Sequence, residues 1–160
     1  MIFPILLILK KSLMGTKNAI LSNGITKLKV FKFYNLDSSG FSNQDIPAGK
    51  SIYIVYFDPD CDFCESEISL IMNNISQFKQ TEILMVSSNS PDRIRRIGEK
   101  FNISHVKTVH LLWDKDIQFQ TLFGKSIIPS SFVYSPDHVL LKKYEGLVRI
   151  EALIKLVNLK

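Results

Sequence analysis

The sequence predicts one domain of the α/β class, in which strands and helices alternate along the chain. Its 160 residues correspond to about one domain, and its 46% hydrophobic and 22% charged residues are typical of a globular protein. Continuous apolar runs rich in β-forming residues alternate with segments whose apolar residues recur at helical spacing. This alternation indicates a sheet with helices packed against it.

Charge and cysteine content exclude several kinds of protein. The chain has 20 Lys and Arg against 15 Asp and Glu, and the basic residues are scattered along it. Because a nucleic-acid-binding protein normally shows a basic stripe interleaved with aromatic residues, no nucleic-acid partner is predicted. Only two cysteines are present, which excludes a scaffold held by several disulfides.

The chain divides into an apolar N-terminal segment, residues 1–24, and the predicted domain, residues 25–160. The apolar run Ile2–Leu9 is too short to cross a bilayer alone. Lys10 and Lys11 follow this run, whereas the charges of a secretory signal precede the apolar stretch. Three interpretations stay open: a truncated export segment, an element packed on the core, and an incorrectly assigned start of the chain.

The first half of the domain begins with a predicted antiparallel strand over Lys27–Leu36, where apolar and polar residues alternate. A turn at Asp37–Gly40 and a loop at Pro47–Gly49 follow. Ile52–Phe57 is apolar without a break, as in a strand buried on both faces of a sheet. A helix is predicted over Asp62–Phe78, because its apolar residues recur on one face.

The second half continues the alternation of strands and helices. Its first predicted elements are a strand over Ile83–Val86, a helix with Ser90 as N-cap and Pro91 at its first position, and a strand over Val109–Trp113. The remaining ones are a short helix capped by Asp114 and ending at Gly124, a hairpin of Ser131–Tyr134 with Val139–Tyr144, and a closing helix striped by Ile150, Leu153, Ile154 and Val157.

The chemistry of the chain lies in the pair Cys61 and Cys64, where the buried strand leads into a helix. Cys61 stands at the helix N-terminus, where unpaired backbone N–H groups and the helix dipole stabilise an anion and so favour a nucleophilic thiolate. Cys64 lies one turn along on the apolar face and should be more buried. An accessible attacking sulfur beside a sheltered resolving sulfur suits thiol–disulfide exchange.

Three other interpretations of the cysteine pair were weighed. A structural disulfide closing so short a loop would add only roughly 2 kcal/mol of stability. A zinc site would need two more ligands, and His105, His110 and His138 lack the compact spacing of zinc modules. Two inert buried thiols are the third alternative. The redox interpretation is preferred, and it requires neither a metal nor an organic cofactor.

Pro129 is the second notable feature, since it lies between Ile128 and Ser130 immediately before a predicted strand. Proline is tolerated in a sheet at the start of a strand, and only X–Pro peptide bonds adopt the cis form cheaply. A cis bond at Pro129 would turn neighbouring backbone groups outward, where they could pair with an extended substrate peptide. A plain loop proline is the alternative.

Together these motifs resemble the thioredoxin superfamily: a strand leads into Cys-x-x-Cys at a helix start, and Ile-Pro-Ser-Ser-Phe follows about 65 residues later. The extra N-terminal strands and the acid three residues after Cys64 resemble the bacterial thiol–disulfide oxidoreductases of the TlpA/ResA type, which carry an AhpC/TSA-like (redoxin) domain. The resemblance covers Lys27–Lys160 and implies a thioredoxin-like three-layer α/β/α sandwich with a central mixed β-sheet and an N-terminal β extension. It favours an extracytoplasmic location, either periplasmic or membrane-associated.

The resemblance also implies roles for individual residues. Cys61 would attack a substrate disulfide, Cys64 would resolve the mixed disulfide, and Glu67 would be the active-site glutamate. Glu67 also borders the apolar stripe of the helix, where burial would raise its pKa and suit it to exchange a proton with Cys64; a solvated carboxylate is the alternative. We expect Phe63, Ile128 and Pro129 to contact the substrate. The implied partners are protein disulfide or dithiol substrates and an upstream dithiol protein that donates electrons.

Two departures from the family pattern bear on the direction of exchange. Family members commonly have Trp before the first cysteine, whereas this chain has Asp60. Asp58, Asp60, Asp62 and Glu65 crowd the site with negative charge, which opposes a thiolate. A less stable thiolate makes the disulfide harder to reduce, so a reductant is predicted.

Two alternative functions remain. The first is a thioredoxin-like binding module that docks a partner through the Pro129 edge and Phe63 without turnover. The second is a peroxiredoxin-like peroxidase, which shares the fold. It is disfavoured because position 58 is Asp rather than Thr or Ser, and position 54 is Ile rather than Pro.

Overall fold

Seven strands form one mixed sheet in the computed structural model, which describes residues 26–159. The strands are β1 Lys32–Tyr34, β2 Gly40–Ser42, β3 Ser51–Tyr56, β4 Thr81–Ser87, β5 Val109–Trp113, β6 Ser130–Tyr134 and β7 Leu140–Glu145. Their order across the sheet is β2-β1-β5-β4-β3-β6-β7, with β3, β4 and β5 parallel and the other pairings antiparallel. The apolar run Ile2–Leu9 and the rest of segment 1–24 lie outside the described residues.

Four helices cover the two faces of the sheet: α1 Asp62–Asn73, α2 Pro91–Lys100, α3 Phe119–Phe123 and α4 Ile150–Val157. The apolar residues of α1, α2 and α4 pack into one core cluster, and those of α3 pack into another on the opposite face. This arrangement confirms the predicted three-layer sandwich and its mixed sheet. None of the described helices is long and apolar enough to cross a membrane.

Strand β3 carries the two faces of the core. All six of its residues are buried, as its continuous apolar sequence predicts. Successive side chains of a strand point to opposite faces. Tyr53 and Val55 therefore belong to the cluster beneath α1, whereas Ile52, Ile54 and Tyr56 belong to the cluster beneath α3.

The N-terminal extension differs from the predicted single strand over Lys27–Leu36. Its regular part is only β1, while Lys27 makes an isolated bridge to Val139. After the turn, a second strand, β2, pairs with β1 so that Phe33 faces Phe41. This short edge strand was not predicted, because three residues with one buried side chain show no periodicity.

Helix α1 ends at Asn73 rather than at the predicted Phe78, and a 3-10 turn over Ile75–Gln77 follows. The Asn74 side chain donates to the Leu70 carbonyl at 2.8 Å. Asparagine side chains compete with the backbone for hydrogen bonds in this way, which favours a helix end over continuation. Apolar spacing alone could not show the stop.

The predicted helix caps are confirmed in part. The Asp114 carboxylate accepts hydrogen bonds from the backbone N–H groups of Gln118 at 2.8 Å and Phe119 at 3.0 Å, and so caps α3. Ser90 occupies the N-cap position of α2, with Pro91 at the first position. Its hydroxyl makes no capping bond within residues 26–159, however.

Candidate active site

Cys61 and Cys64 lie at the start of α1, beyond the carboxyl end of β3. Cys61 is the N-cap residue, and its Sγ accepts a hydrogen bond from the Cys64 N–H at 3.4 Å. Cys61 is partly exposed, Cys64 is fully buried, and both are free thiols. The predicted difference in burial between the two sulfurs is therefore present.

A tight turn leads the chain into this helix start. The Asp58 carboxylate accepts the Asp60 N–H at 2.8 Å, and the Asp58 carbonyl accepts the Cys61 N–H at 3.1 Å. An aspartate that bonds the backbone two residues on is a common turn-forming device. The turn therefore places Cys61, rather than a neighbour, at the helix N-terminus.

The segment before β6 approaches Cys61 from the adjacent strand. Strand β6 pairs with β3 so that Ser130 lies opposite Tyr56, and the preceding Ile128–Pro129 peptide bond is cis. A shallow pocket of about 350 Å³ is lined by Asp58, Asp60, Cys61 and Ile128. The structure thus brings together the first cysteine and the proline loop that the sequence analysis singled out separately.

The backbone groups of the proline loop differ in whether they already have a hydrogen-bond partner. The Pro129 carbonyl accepts the Gly146 N–H at 2.8 Å. Within the part of the chain that the structure describes, the Ile128 backbone has no backbone hydrogen-bond partner. The Ile128 backbone therefore has no competing backbone partner among the described residues, whereas the Pro129 carbonyl is already engaged.

Exposed apolar side chains occur on both segments that carry the site. Phe63, in the first turn of α1, is 64% exposed, and Ile128 is 41% exposed. The neighbouring Ile127 is also exposed. It is not among the substrate contacts predicted from the sequence, although two consecutive isoleucines before a loop proline indicate an exposed apolar surface. Such exposed apolar groups suit contact with a partner.

Glu67 lies on the buried face of α1, one turn after Cys64. Its side chain is only 2% exposed, so it is not the solvated carboxylate of the alternative interpretation. Burial raises the pKa of Glu67 to about 7, although a hydrogen bond from Tyr53 lowers it. The Tyr53 hydroxyl donates to Glu67 Oε1 at 2.5 Å. Tyr53 was not predicted from the sequence, because β3 contains two tyrosines and nothing in the local pattern shows which of them faces α1.

Cys64 is poorly suited to ionise unaided. Burial raises the pKa of the Cys64 thiol, and a hydrogen bond with the Cys61 side chain and the charge of Glu67 add to this, while the Asp58 backbone opposes it. Its conversion to a thiolate therefore needs a base. Glu67 is three residues away on the same helix face and has a pKa of about 7.

The negative charge around Cys61 is partly compensated. Asp60 forms an ion pair with Arg93, and Glu65 forms one with Lys100. Both cations belong to α2, which is distant from the cysteines in the sequence. The net negative charge around Cys61 is therefore smaller than the local sequence predicts. Because these pairs are solvent-exposed, each contributes little energy.

The histidines weighed as zinc ligands lie elsewhere. Among residues 26–159, no three His, Cys, Asp or Glu side chains are grouped so as to hold a metal ion. His110 instead lies 2.7 Å from the Glu82 carboxylate, between β5 and β4. The register pairs Glu82 with Ile52 near the start of β3, at the opposite end of the strand from the cysteines.

Comparison with known proteins identifies the family. The model of the AhpC/TSA family matches residues 26–143. The chain belongs to the AhpC/TSA family. This confirms the family-level resemblance, since the match includes both cysteines, Glu67 and Pro129. No curated protein matches the chain.

Solved structures similar to this AhpC/TSA chain have a thioredoxin-like fold. DsbF of Mycobacterium tuberculosis is 20% identical, with 79% of this chain and 92% of that chain covered and a TM-score of 0.67. The thioredoxin domain of a Bacteroides vulgatus thiol-disulfide oxidoreductase is 17% identical, with coverages of 83% and 96% and a TM-score of 0.67. A peroxiredoxin-like protein of Aquifex aeolicus is 12% identical, with coverages of 83% and 84% and a TM-score of 0.66. These likenesses show the fold.

The peroxidase alternative can be compared with the geometry around Cys61. A peroxiredoxin would need a Thr or Ser hydroxyl three residues before the first cysteine, where this chain has Asp58. The Asp58 carboxylate is already engaged by the Asp60 N–H. A carboxylate cannot donate the hydrogen bond with which a hydroxyl orients a peroxide.

Proposed function

We propose that this AhpC/TSA protein is a thiol–disulfide oxidoreductase that reduces disulfides of protein substrates through Cys61 and Cys64. The observation that carries the proposal is the contrast between the two thiols: Cys61 is accessible at a helix N-terminus, and Cys64 is buried one turn behind it. Glu67, with its raised pKa of about 7, stands beside the buried thiol. The reaction needs no metal or organic cofactor.

The proposed reaction has two exchange steps. The Cys61 thiolate attacks a substrate disulfide, forms a mixed disulfide and releases one substrate thiolate, which takes up a proton. Glu67 then accepts the Cys64 proton, and the Cys64 thiolate attacks the Cys61 sulfur. This forms the Cys61–Cys64 disulfide and releases the second substrate thiolate, so two electrons pass to the substrate. A separate dithiol protein restores the reduced form.

The buried thiol supports the proposed direction of exchange. When an outside thiolate attacks Cys61 in the oxidised protein, Cys64 must leave as a thiolate. Burial raises the pKa of the Cys64 thiol, which makes it a poor leaving group. The disulfide is therefore hard to reduce and the dithiol is a good reductant. We expect a reduction potential more negative than about −180 mV, the value typical of protein disulfide isomerase.

Substrate docking is proposed at the rim of Cys61. Ile128 lines the pocket beside Cys61, Phe63 is exposed in the first turn of α1, and the Ile128 backbone is available beside Pro129. A peptide with apolar residues next to its cysteine would cover both side chains while pairing with the loop backbone.

The proposal is tested by reducing insulin with the protein and counting free thiols. Cys61→Ser should abolish the reaction, whereas Cys64→Ser should accumulate a mixed disulfide that denaturing gels detect. Equal thiol release by wild type and Cys61→Ser would contradict the proposal and favour a redox-inert binding module. Rapid consumption of hydrogen peroxide without insulin reduction would instead favour a peroxidase.

A further inference from the structure

Tyr53 is fully buried in the core cluster that also contains Cys64, and its hydroxyl contacts Glu67. It lies on β3, fourteen residues before Glu67, and donates a hydrogen bond of 2.5 Å to Glu67 Oε1. The other oxygen, Oε2, is buried and has no hydrogen-bond partner among residues 26–159. The two oxygens of this carboxyl therefore differ in hydrogen bonding, because Tyr53 bonds only Oε1.

The surroundings of the carboxyl contain few other polar groups. The titratable groups that face it are Cys64 on its own helix and Tyr53 on β3, with Tyr144 of β7 beyond Tyr53. The Ser131 hydroxyl of β6 is near Tyr53, but within the described chain it has no hydrogen-bond partner of its own. Among residues 26–159, Tyr53 is therefore the one side chain that donates a hydrogen bond to the Glu67 carboxyl.

We propose that Tyr53 is a positioning residue that holds Glu67 Oε1, so that Oε2 is the oxygen that exchanges a proton with Cys64. The inference rests on the proposed disulfide exchange. Tyr53 donates its hydroxyl proton to Oε1. If the carboxyl proton were also on Oε1, the two protons would face each other. The proton of the neutral Glu67 carboxyl is therefore on Oε2. Cys64 lies one turn away on the same helix face as Glu67.

The step balances with Tyr53 unchanged. The proton of the Cys64 thiol moves to Oε2, and the resulting thiolate attacks the Cys61 sulfur of the mixed disulfide. The substrate thiolate leaves with the electron pair of the broken S–S bond and takes up a proton. Tyr53 keeps its own proton throughout, because burial and then the charge of Glu67 raise its pKa well above the usual value of 10.0.

The substitution Tyr53→Phe tests this assignment because it removes only the hydroxyl. Without its one donor, the buried carboxylate is less stable, so the pKa of Glu67 should rise above 7. We expect an increase of about one unit, which reduces the deprotonated fraction at pH 7 roughly fivefold. NMR titration of ¹³C-labelled glutamate reads this pKa directly. The rate at which Cys64 resolves a preformed mixed disulfide should show the same alkaline shift.

Tyr56→Phe is the matched control. Tyr56 lies on the same strand but faces the opposite core cluster, where its hydroxyl is 3.4 Å from Ser88 Oγ. Its loss should leave the pKa of Glu67 and the pH profile of resolution unchanged. In the wild-type protein, the resonance of the Tyr53 hydroxyl proton should also titrate with the Glu67 value of about 7, a measurement that requires no variant.

The outcomes separate the two proposals. If the wild-type protein does not reduce disulfides, the proposed function fails whatever Tyr53→Phe does. If it does reduce them, and Tyr53→Phe leaves the Glu67 pKa and the resolution profile where they were, only the role of Tyr53 is overturned. A lowered Glu67 pKa in that variant, or a wild-type Tyr53 proton insensitive to Glu67, would overturn it equally.

Discussion

The two faces of the central sheet differ in how their buried carboxyl groups are paired. On the face under α3, the buried Glu82 carboxylate lies 2.7 Å from His110. The rest of that face is dominated by rings from the N-terminal extension, the sheet and α3: Phe31, Phe33, Phe41, Phe119, Phe123 and Phe132. The face under α1 buries a carboxyl, a phenol and a thiol within its apolar core: Glu67, Tyr53 and Cys64. The carboxylate under α3 thus has a histidine partner, whereas one oxygen of Glu67, under α1, has no hydrogen-bond partner among residues 26–159.

The reactive groups of this fold lie on a strand that is packed on both faces. Strand β3 contributes to both faces, because alternate residues point in opposite directions. The aromatic face anchors the strand, and the other face of the same strand presents Tyr53 to Glu67. The site is thus supported from behind by packing that takes no part in the exchange.

The largest predicted effect is a loss of stability when the aromatic cluster under α3 is disrupted. Phe119 is fully buried, and its ring centroid lies 4.1 Å from that of Tyr56 and 4.5 Å from that of Phe123. Phe119→Ala should lower the free energy of unfolding by about 3–5 kcal/mol, measured by urea denaturation. The thiol reactivity of the molecules that remain folded should not change. A loss below about 1 kcal/mol would show that this cluster does not anchor the sheet.

The second prediction concerns pH and the face under α1. Glu67 has a pKa of about 7 in the folded state against 4.5 as a free side chain, so the folded state holds its proton more tightly. Its burial therefore has little effect on stability below pH 4.5 and destabilises the protein progressively as the pH rises to about 7. The loss should be about 3 kcal/mol, and Glu67→Gln should remove this pH dependence. Urea denaturation at pH 4.5 and pH 8 measures it; parallel pH profiles of variant and wild type would contradict it.

The third prediction concerns the rate of exchange. Glu67→Gln removes the base beside Cys64, so resolution of the mixed disulfide at pH 7 should slow by roughly 10²-fold, measured by stopped flow. Glu65→Gln is the matched control on the same helix, because Glu65 is exposed and pairs with Lys100. Its rate should stay within about twofold of wild type. Equal slowing by both variants would remove the reason for assigning the base to Glu67.

The smallest predicted effect is on the rate at which Cys61 attacks a disulfide, and it comes from the ion pair beside Cys61. Arg93 compensates the charge of Asp60, next to Cys61. Arg93→Gln should therefore reduce the rate at which Cys61 attacks a small disulfide by about twofold at low salt, and high salt should abolish the difference. Arg95→Gln is the control, because Arg95 pairs with Asp92 on α2 itself. A salt-independent change would indicate a structural effect rather than an electrostatic one.

Local sequence patterns predicted much of this molecule. The unbroken apolar run of β3 and the Cys61 position after it follow from residues adjacent in the chain, and so does the burial of Glu67 on the stripe of α1. Pro129 was placed at the start of β6 for the same reason. The short strand β2 and the early end of α1 escaped prediction, because edge pairing and side-chain competition at Asn74 leave no periodic signal.

Local patterns in the sequence predict the candidate reactive residues and the elements on which they lie, since periodicity and helix-start chemistry act over a few neighbouring residues. The contacts of those residues come from segments that are distant in the chain, and no local pattern shows them. The bond from Tyr53 to Glu67 joins residues fourteen apart, and the ion pairs of Asp60 and Glu65 come from a helix beyond the next strand. These contacts depend on how the sheet and helices stack. The same stacking buries Glu67, which raises its pKa while the Tyr53 bond lowers it, and it brings Arg93 to the charge beside Cys61.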